Sequence, residues 1–469
     1  MAEVPFQIPV HLQQRISAEQ AHHYRIVPVK EEADTLVLKT DTSALDTLLQ
    51  ELQIVLDDTV SLESCATDEL ERYLSSNYRM ASNTASKALG YTTDFLEKVI
   101  VQAKTIGSSD IHFEPYEERC RVRFRLDGKL MEYYEIPIKD YPAIINKIKV
   151  RARLDIAEKR LPQDGRITLT TPTTEFDIRV SSVPTLYGEK LVLRILSKDA
   201  GALQLEDLGF TTEELDTFRE GVKRPNGILL ISGPTGSGKT TTLYATLKEL
   251  NQPQTNILTI EDPIEYTLEG INQVQLKENI GLDYSSALRT FLRQDPDIIM
   301  VGEIRDVKTA NMAIRAALTG HLVLSTIHTN SSWATISRLI DMGVPPFLIA
   351  STINLSVAQR LVRKLCPSCK QKVPLESHHY PNFGKSVSDI NEHYIPKGCN
   401  DCHHTGYKGR KAIYEILPIT KALESPIKEG HTEIEEHLNQ NRIKTLKINA
   451  INLVKQGETS IEEVYSLLL

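Results

Sequence analysis

The sequence predicts an α/β chain whose second half is a parallel sheet covered by helices. Three observations carry that expectation. Short apolar runs, Ile228 to Ile231, Ile257 to Ile260, Ile298 to Val301 and Val323 to Ile327, alternate with helical stretches from about residue 205. These runs do not alternate polar with apolar residues, so each is expected to be covered on both faces. The segment GPTGSGKT, Gly233 to Thr240, lies between the apolar ILLIS and the helical TTLYATLKEL. That is where an α/β sheet carries a phosphate-binding loop.

The 469 residues exceed one core, and roughly three domains are expected. Hydrophobic residues make up 41% and charged residues 25%, the balance of a globular chain. A formal net charge of −8 argues against general nucleic-acid binding, although it permits a local basic channel. No apolar run approaches the roughly 20 residues of a membrane helix. The opening MAEVPFQIPV lacks the basic start and apolar segment of a signal peptide, so a cytoplasmic chain is expected.

Residues 1–80 read as a small mixed domain. Ser17 to Tyr24 is helical in pattern, Arg25 to Val29 and Thr35 to Lys39 are extended, and Leu45 to Leu56 carries a helical apolar stripe. Thr67 begins another helix with acids in its first turn. Residues 81–90, small and polar over ASNTASKA, read as a linker. Residues 91–202 form a second unit: a helix from Phe95 to Lys104, then strands. Arg121 to Arg125 alternate basic with apolar before an Asp127-Gly128 turn. Phe176, Ile178 and Val180 alternate again, as do Leu191, Leu193 and Ile195. Residues 203–469 hold the phosphate loop, a cysteine segment from 366 to 402 and a helical tail from about 417.

The loop's residue types follow from its chemistry. Gly233, Gly236 and Gly238 let backbone amides turn toward phosphate oxygens, with Pro234, Thr235 and Ser237 between them. The following helix adds its positive N-terminal end at Thr240 and Thr241. Lys239 supplies a point charge, and the Thr240 hydroxyl suits Mg²⁺. Acids at the ends of later apolar runs complete a site: Glu261 and Asp262 after ILTI, and Glu303 after DIIMVG. Glu303 is placed to position a water or hold the metal. His328 ends a third run. A lone acid or histidine is ordinarily a solvated or satisfied side chain. Three of them at strand ends beside this loop are not ordinary.

Four boxes then stand in order: GPTGSGKT at 233, TIEDPIEY at 259, LRQDPDIIMVGEIRD at 292 and GHLVLSTIHTN at 320. With SSDIHFEP at 108, RLPQDGRI at 160 and GYKGRKAIYEIL at 406, the chain resembles the type II secretion and type IV pilus assembly ATPases of the secretion ATPase superfamily. The resemblance covers roughly residues 90 to 469. It implies a RecA-like ATPase domain, preceded by a PAS-like α+β domain and a small N-terminal docking domain. It implies ATP and Mg²⁺, a homo-hexamer, and a place on the cytoplasmic face of the inner membrane beside a polytopic platform protein. It singles out Arg179 in DIRVSS and Arg194 in LVLRIL as arginines that the second domain brings to the nucleotide. Arginines in alternating strands otherwise mark solvated faces. By the same resemblance Glu303 is the catalytic carboxylate, Glu261 an acid that organises metal or water, and His328 the histidine-box residue.

Cys366-Pro-Ser-Cys369 and Cys399-Asn-Asp-Cys402 form two CxxC pairs, a set suited to tetrahedral Zn²⁺ in a structural role. His403 and His404 stand close enough to compete. The stretch 370–398 reads as an insertion, and Cys65 and Cys120 read as packing residues. Within the family the quartet favours pilus extension or secretion over retraction. PVHLQQRISAEQAHHYRIVPVK resembles the family's N-terminal module that docks on an inner-membrane protein. The Arg-Leu-Gly segment of cyclic-dinucleotide binders is absent, since Gln14-Arg15-Ile16 lacks the glycine. Two other readings stay open: a DNA-uptake motor, for which only RVRFR at 121–125 speaks, and a non-catalytic nucleotide-binding scaffold.

Overall fold

The computed structural model describes residues 8–13, 15–32, 35–42, 44–56, 59–78, 87–88, 92, 94–170, 175–196, 204–375, 390–431 and 434–468. Of the expected linker, all but Lys87 and Ala88 lies outside these. Gln14, in the segment searched for a cyclic-dinucleotide motif, lies outside them too.

The N-terminal residues build a three-stranded sheet. Short helices α1 (Val10–Gln13) and α2 (Ala18–His23) precede β1 (Ile26–Glu32), which pairs antiparallel with β2 (Thr35–Thr40). Ser17 and Gln20 cap α2 reciprocally, as a capping box does. A parallel neighbour to β2 needs a crossover, and α3 (Leu45–Val55) supplies it on the way to β3 (Thr59–Ser64). Helix α4 (Thr67–Asn77) closes the layer. Leu36, Leu38, Leu52 and Leu70 form the core between helices and sheet.

The second unit is a seven-stranded sheet with helices on one face. In chain order it comprises β4 (Lys87–Ala88), α5 (Phe95–Thr105), β5 (Asp110–Pro115), β6 (Cys120–Leu126), β7 (Lys129–Ile136), α6 (Tyr141–Arg151), β8 (Gln163–Thr170), β9 (Glu175–Thr185) and β10 (Gly188–Leu196). The strand order is β4-β7-β6-β5-β10-β9-β8. Strand β6 alternates as its sequence predicts: Val122 and Phe124 join the core with α5 and α6, while Arg121, Arg123 and Arg125 lie on the other face. Asp127 and Gly128 both take positive φ, 46° and 88°, as a two-residue hairpin turn of this kind requires. Helix α6 has no counterpart among the sequence expectations. Pro142 in its first turn disguises a helix start, where a missing amide is harmless.

The third sheet runs β13-β12-β14-β15-β11-β16-β19. After α7 (Thr212–Val222) come β11 (Gly227–Ser232), α8 (Lys239–Leu250), β12 (Ile257–Glu261), β13 (Asn272–Gln275), α9 (Tyr284–Phe291) and β14 (Ile298–Val301). Then follow α10 (Val307–Leu318), β15 (Leu322–Ile327), α11 (Ser332–Asp341), α12 (Pro346–Thr352) and β16 (Ile353–Leu365). All strands from β11 to β16 pair parallel. The four apolar runs are β11, β12, β14 and β15, each buried along its whole length. One apolar cluster, with Ile228, Leu230, Ile299 and Val323, packs against α9 to α12. The other, with Leu229, Ile231, Met300 and Leu324, packs against α7 and α8. Full burial of such a side chain contributes roughly 1.5–3 kcal/mol.

The expected helical tail begins close to where the sequence places it, directly after a strand that the sequence did not show. Beyond the small hairpin β17 (Gln371–Pro374) and β18 (Glu392–Ile395), strand β19 (Tyr407–Pro418) returns antiparallel to β16 and includes GYKGRKAIYEIL's apolar half. Helices α13 (Glu424–Glu429), α14 (Glu435–Gln440), α15 (Leu446–Lys455) and α16 (Ile461–Leu468) follow. Buried Ala412, Ile413, Tyr414 and Ile416 make β19 a strand in a stretch to which the sequence assigns no element. Of the expected insertion, 376–389 lie outside the described residues.

Candidate nucleotide site and metal centre

The phosphate loop joins the C-terminal end of β11 to the N-terminus of α8. Gly238, the residue before α8, has φ 88°, and Gly233 has φ 149°. A Cβ on Gly233 would stand 2.5 Å from the Gln359 carbonyl oxygen, and one on Gly238 would stand 2.9 Å from Gln359 Nε2. The loop is therefore glycine both for its backbone angle and because β16 presses on it. Lys239 Nζ donates to the carbonyls of Gly233 (2.7 Å) and Pro234 (3.1 Å), which folds the loop around it. Burial pulls the Lys239 ammonium below the ordinary lysine value, the charge of Glu303 opposes this, and that of Arg360 adds to it. Pro234, Thr235, Gly236 and Thr240 are exposed, Thr241 is half-buried, and Ser237 Oγ is buried without a hydrogen-bond partner.

Parallel pairing puts the ends of β11, β14 and β15 on one edge, and so it brings Glu303 and His328 to the loop. His328 Nε2 lies 3.4 Å from Glu303 Oε2. Arg305 donates to the other carboxylate oxygen. Burial alone would raise the Glu303 carboxyl. The hydrogen bond and charge of Arg305, with the charges of His328 and Lys239, hold it below the ordinary glutamate value instead. It is a carboxylate at neutral pH.

Glu261 sits apart from this group. It is 3% exposed and accepts from the Tyr244 hydroxyl, Thr259 Oγ1 (2.5 Å) and Gln273 Nε2 (3.1 Å), so it ties α8 and β13 to β12. The open acid is its neighbour Asp262, 4.0 Å from Arg305. Successive strand side chains point oppositely, and the sequence does not say which of two adjacent acids faces the site. Arg305, Gln359 and Arg360 all bear on the loop or its acids without having been singled out in the sequence. Arg305 had a signal, since it stands two residues beyond Glu303 in one box.

The two second-unit arginines lie side by side, in register across β9 and β10. Arg179 donates to the Ile264 carbonyl and pairs with Glu265 at 3.2 Å. It therefore meets the TIEDPIEY segment and not the phosphate loop. Arg194 pairs with Asp110 at 3.0 Å and is 58% exposed. The structure brings Lys239, Glu303 and His328 together and leaves Arg179 and Arg194 on the facing unit.

Beside Gly238 and Thr242 opens a cleft of about 1070 Å³, walled by Leu208, Gly209, Leu361 and Ala412, with Lys370 and Arg410 also on its lining.

The cysteine cluster stands at the far end of the β16–β19 ribbon. Cys366 follows β16 directly, and Cys402 precedes β19 by a short turn. The four sulfurs lie within 4.8 Å of one another, with Cys366–Cys399 and Cys369–Cys402 at 3.8 Å and Cys399–Cys402 at 3.7 Å. Disulfides require about 2.05 Å. Four thiolates each about 2.3 Å from a tetrahedral zinc would stand about 3.8 Å apart, so the donor set fits Zn²⁺. Backbone amides of Gly398, Cys399 and Gly406 donate to the sulfurs at 3.2 Å, which favours thiolate. Neither His403 nor His404 belongs to the cluster.

Comparison with known proteins gives a consistent picture. Residues 85–466 match the profile of the family described as Type II/IV secretion system protein. The Type II secretion system protein E of Aeromonas hydrophila is 39% identical over 95% of this chain and 94% of its own length. The Type IV pilus assembly ATPase PilB of Myxococcus xanthus is 46% identical over 78% of this chain, which spans only 66% of that relative. Among solved structures, the Legionella pneumophila ATPase DotB superposes with a TM-score of 0.61 at 20% identity, over 81% of this chain and 98% of that one. The pilus retraction motor PilT, solved with bound ADP, does so with a TM-score of 0.53 at 24% identity, over 79% and 95%. These two likenesses concern the fold.

Proposed function

The chain belongs to the Type II/IV secretion system protein family, and from that premise we propose that it is an ATP-hydrolysing motor for pseudopilus or pilus assembly. The reading includes a homo-hexamer on the cytoplasmic face of the inner membrane. No helix among the described residues is long and apolar enough to cross a membrane, so attachment would run through partners. Residues 1–80 would dock on an inner-membrane protein, 91–202 would bring arginines to the nucleotide, and 203–469 would bind and hydrolyse it while a polytopic platform protein receives the motion.

The observation that carries the reading is the convergence of Lys239, Glu303 and His328 on one loop. The loop amides and the α8 N-terminus would cradle the phosphates, with Lys239 neutralising their charge. Thr240 would hold Mg²⁺, which when bound offsets phosphate charge. Glu303, ionised at neutral pH, would orient the attacking water and accept its proton, while His328 holds the carboxylate from the side. Glu261 would act from behind, fixing α8 against β12. The cysteine quartet would hold Zn²⁺ and close the ribbon.

A DNA-linked motor is less well supported. Arg121 and Arg123 of RVRFR already bind Glu114 at 3.1 and 2.7 Å, and Arg125 lies 3.3 Å from Asp110. Retraction is disfavoured by the quartet, and a non-catalytic scaffold by the charged group at Glu303. The test is Mg²⁺-dependent ATP hydrolysis by the full chain. Lys239→Ala is expected to reduce it by about 100-fold or more. Unchanged turnover in that variant would refute the site.

A further inference from the structure

Strand β16 runs beside β11 in parallel register, with Ser232 opposite Ala358. The next two residues of β16 therefore meet the opening of the phosphate loop. The first, Gln359, is 2% exposed and accepts from Thr242 Oγ1 at 2.9 Å. The second, Arg360, is half-buried and ties its own strand to one other segment. Its Nη1 donates to the Gln359 carbonyl at 3.0 Å and lies 3.1 Å from the place a Cβ on Gly233 would take. Its Nη2 donates to the backbone carbonyl of Asn330 at 3.1 Å and to its side-chain oxygen at 3.2 Å. Asn330 stands two residues beyond His328. All three acceptors are neutral oxygens, so hydrogen bonds hold the guanidinium without cancelling its charge. That charge is felt at Lys239.

We propose that Arg360 is a positioning residue of the hydrolysis site: it clamps β16, which presses on the start of the phosphate loop, to the segment carrying His328, and it biases the site toward the nucleoside triphosphate over the diphosphate. The inference rests on the reading of this loop as a site of ATP hydrolysis. Two physical points separate the roles. Bridging two backbone segments needs the planar fork of arginine, which lysine lacks. Preference for the more highly charged nucleotide needs only the charge, which lysine keeps. A charge-assisted hydrogen bond is worth about 1.5–3 kcal/mol, which corresponds to roughly 10- to 150-fold.

The experiment compares the full chain with Arg360→Gln and Arg360→Lys. It measures kcat and KM for MgATP, affinities for ADP and a non-hydrolysable ATP analogue, and melting temperature. Arg360→Gln is expected to lower kcat about tenfold or more and to weaken the analogue against ADP, with ADP affinity within about threefold of wild type and melting unchanged. Arg360→Lys is expected to restore the preference for the triphosphate analogue but not kcat. Turnover within about twofold of wild type in both variants would overturn the proposal. So would equal loss of both nucleotides accompanied by a lower melting temperature, because that is the mark of a purely structural residue. Failure of the underlying site would look different: Lys239→Ala would bind and hydrolyse ATP as wild type does.

Discussion

The edge of the parallel sheet and the polar face of the second unit both carry clustered charged residues, but they are built in opposite ways. On the sheet edge, Lys239, Glu303 and His328 come from three separate segments and meet because parallel pairing aligns the ends of β11, β14 and β15. On the second unit, Arg179 and Arg194 are neighbours by register, yet each is held by an acid: Glu265 at 3.2 Å and Asp110 at 3.0 Å. The first group is fixed by one fold. The second can serve the first only by exchanging partners, through movement between units. Under the proposed function, a hydrolysis site divided in this way would link turnover to the angle between them.

The largest effect that bears on this contrast comes from the arginines themselves. Arg194→Ala and Arg179→Ala are each expected to lower kcat by about 100-fold or more while leaving ADP affinity nearly unchanged, measured by steady-state hydrolysis and equilibrium binding. Loss of ADP affinity instead would place them in ground-state binding and weaken the comparison.

The next effect concerns the metal end of the ribbon. Cys366→Ser with Cys369→Ser is expected to abolish bound zinc, read by elemental analysis, and to lower the melting temperature by several degrees. Because β16 also carries Gln359 against α8 and the phosphate loop, turnover is expected to fall as well. A doubly substituted chain that melts and binds zinc as wild type does would remove the metal from the account.

The sheet edge was legible in the sequence because each of its parts is local: a glycine-rich loop after an apolar run, and an acid or histidine at the end of another. The four fully buried runs identified their strands without ambiguity. Strand β19 was not legible, because YKGRK looks like loop until β16 covers its apolar half. Glu261 was named over Asp262 by resemblance alone, since which of the two faces the phosphate loop depends on strand orientation. Arg360 gave no signal at all, because its role exists only where β16 meets the loop. The second-unit arginines were visible only through family resemblance, and their present acid partners not at all.

The smallest effect sharpens the other side of the comparison. Glu114 lies beneath Arg121, Arg123 and Lys190, with its carboxylate 3% exposed. Burial alone would raise its carboxyl, but the three bases hold it down at about 2. A carboxyl depressed in the folded state contributes stability above its unfolded value of 4.5 and loses it as pH falls toward 2. The contribution is on the order of 3 kcal/mol at neutral pH. Glu114→Gln is therefore expected to destabilise the second unit at pH 7 and to flatten its loss of stability in acid, read by denaturant melts across pH. Equal acid sensitivity in both chains would show that the bases hold the face without it.

The claim at the centre is that Glu303 acts on ATP already held by the phosphate loop. The direct measurement is ATP binding and Mg²⁺-dependent hydrolysis by Glu303→Gln and wild type in the same preparation. ATP affinity is expected within about threefold of wild type and turnover lower by about 100-fold or more. Wild-type turnover in Glu303→Gln would contradict that claim.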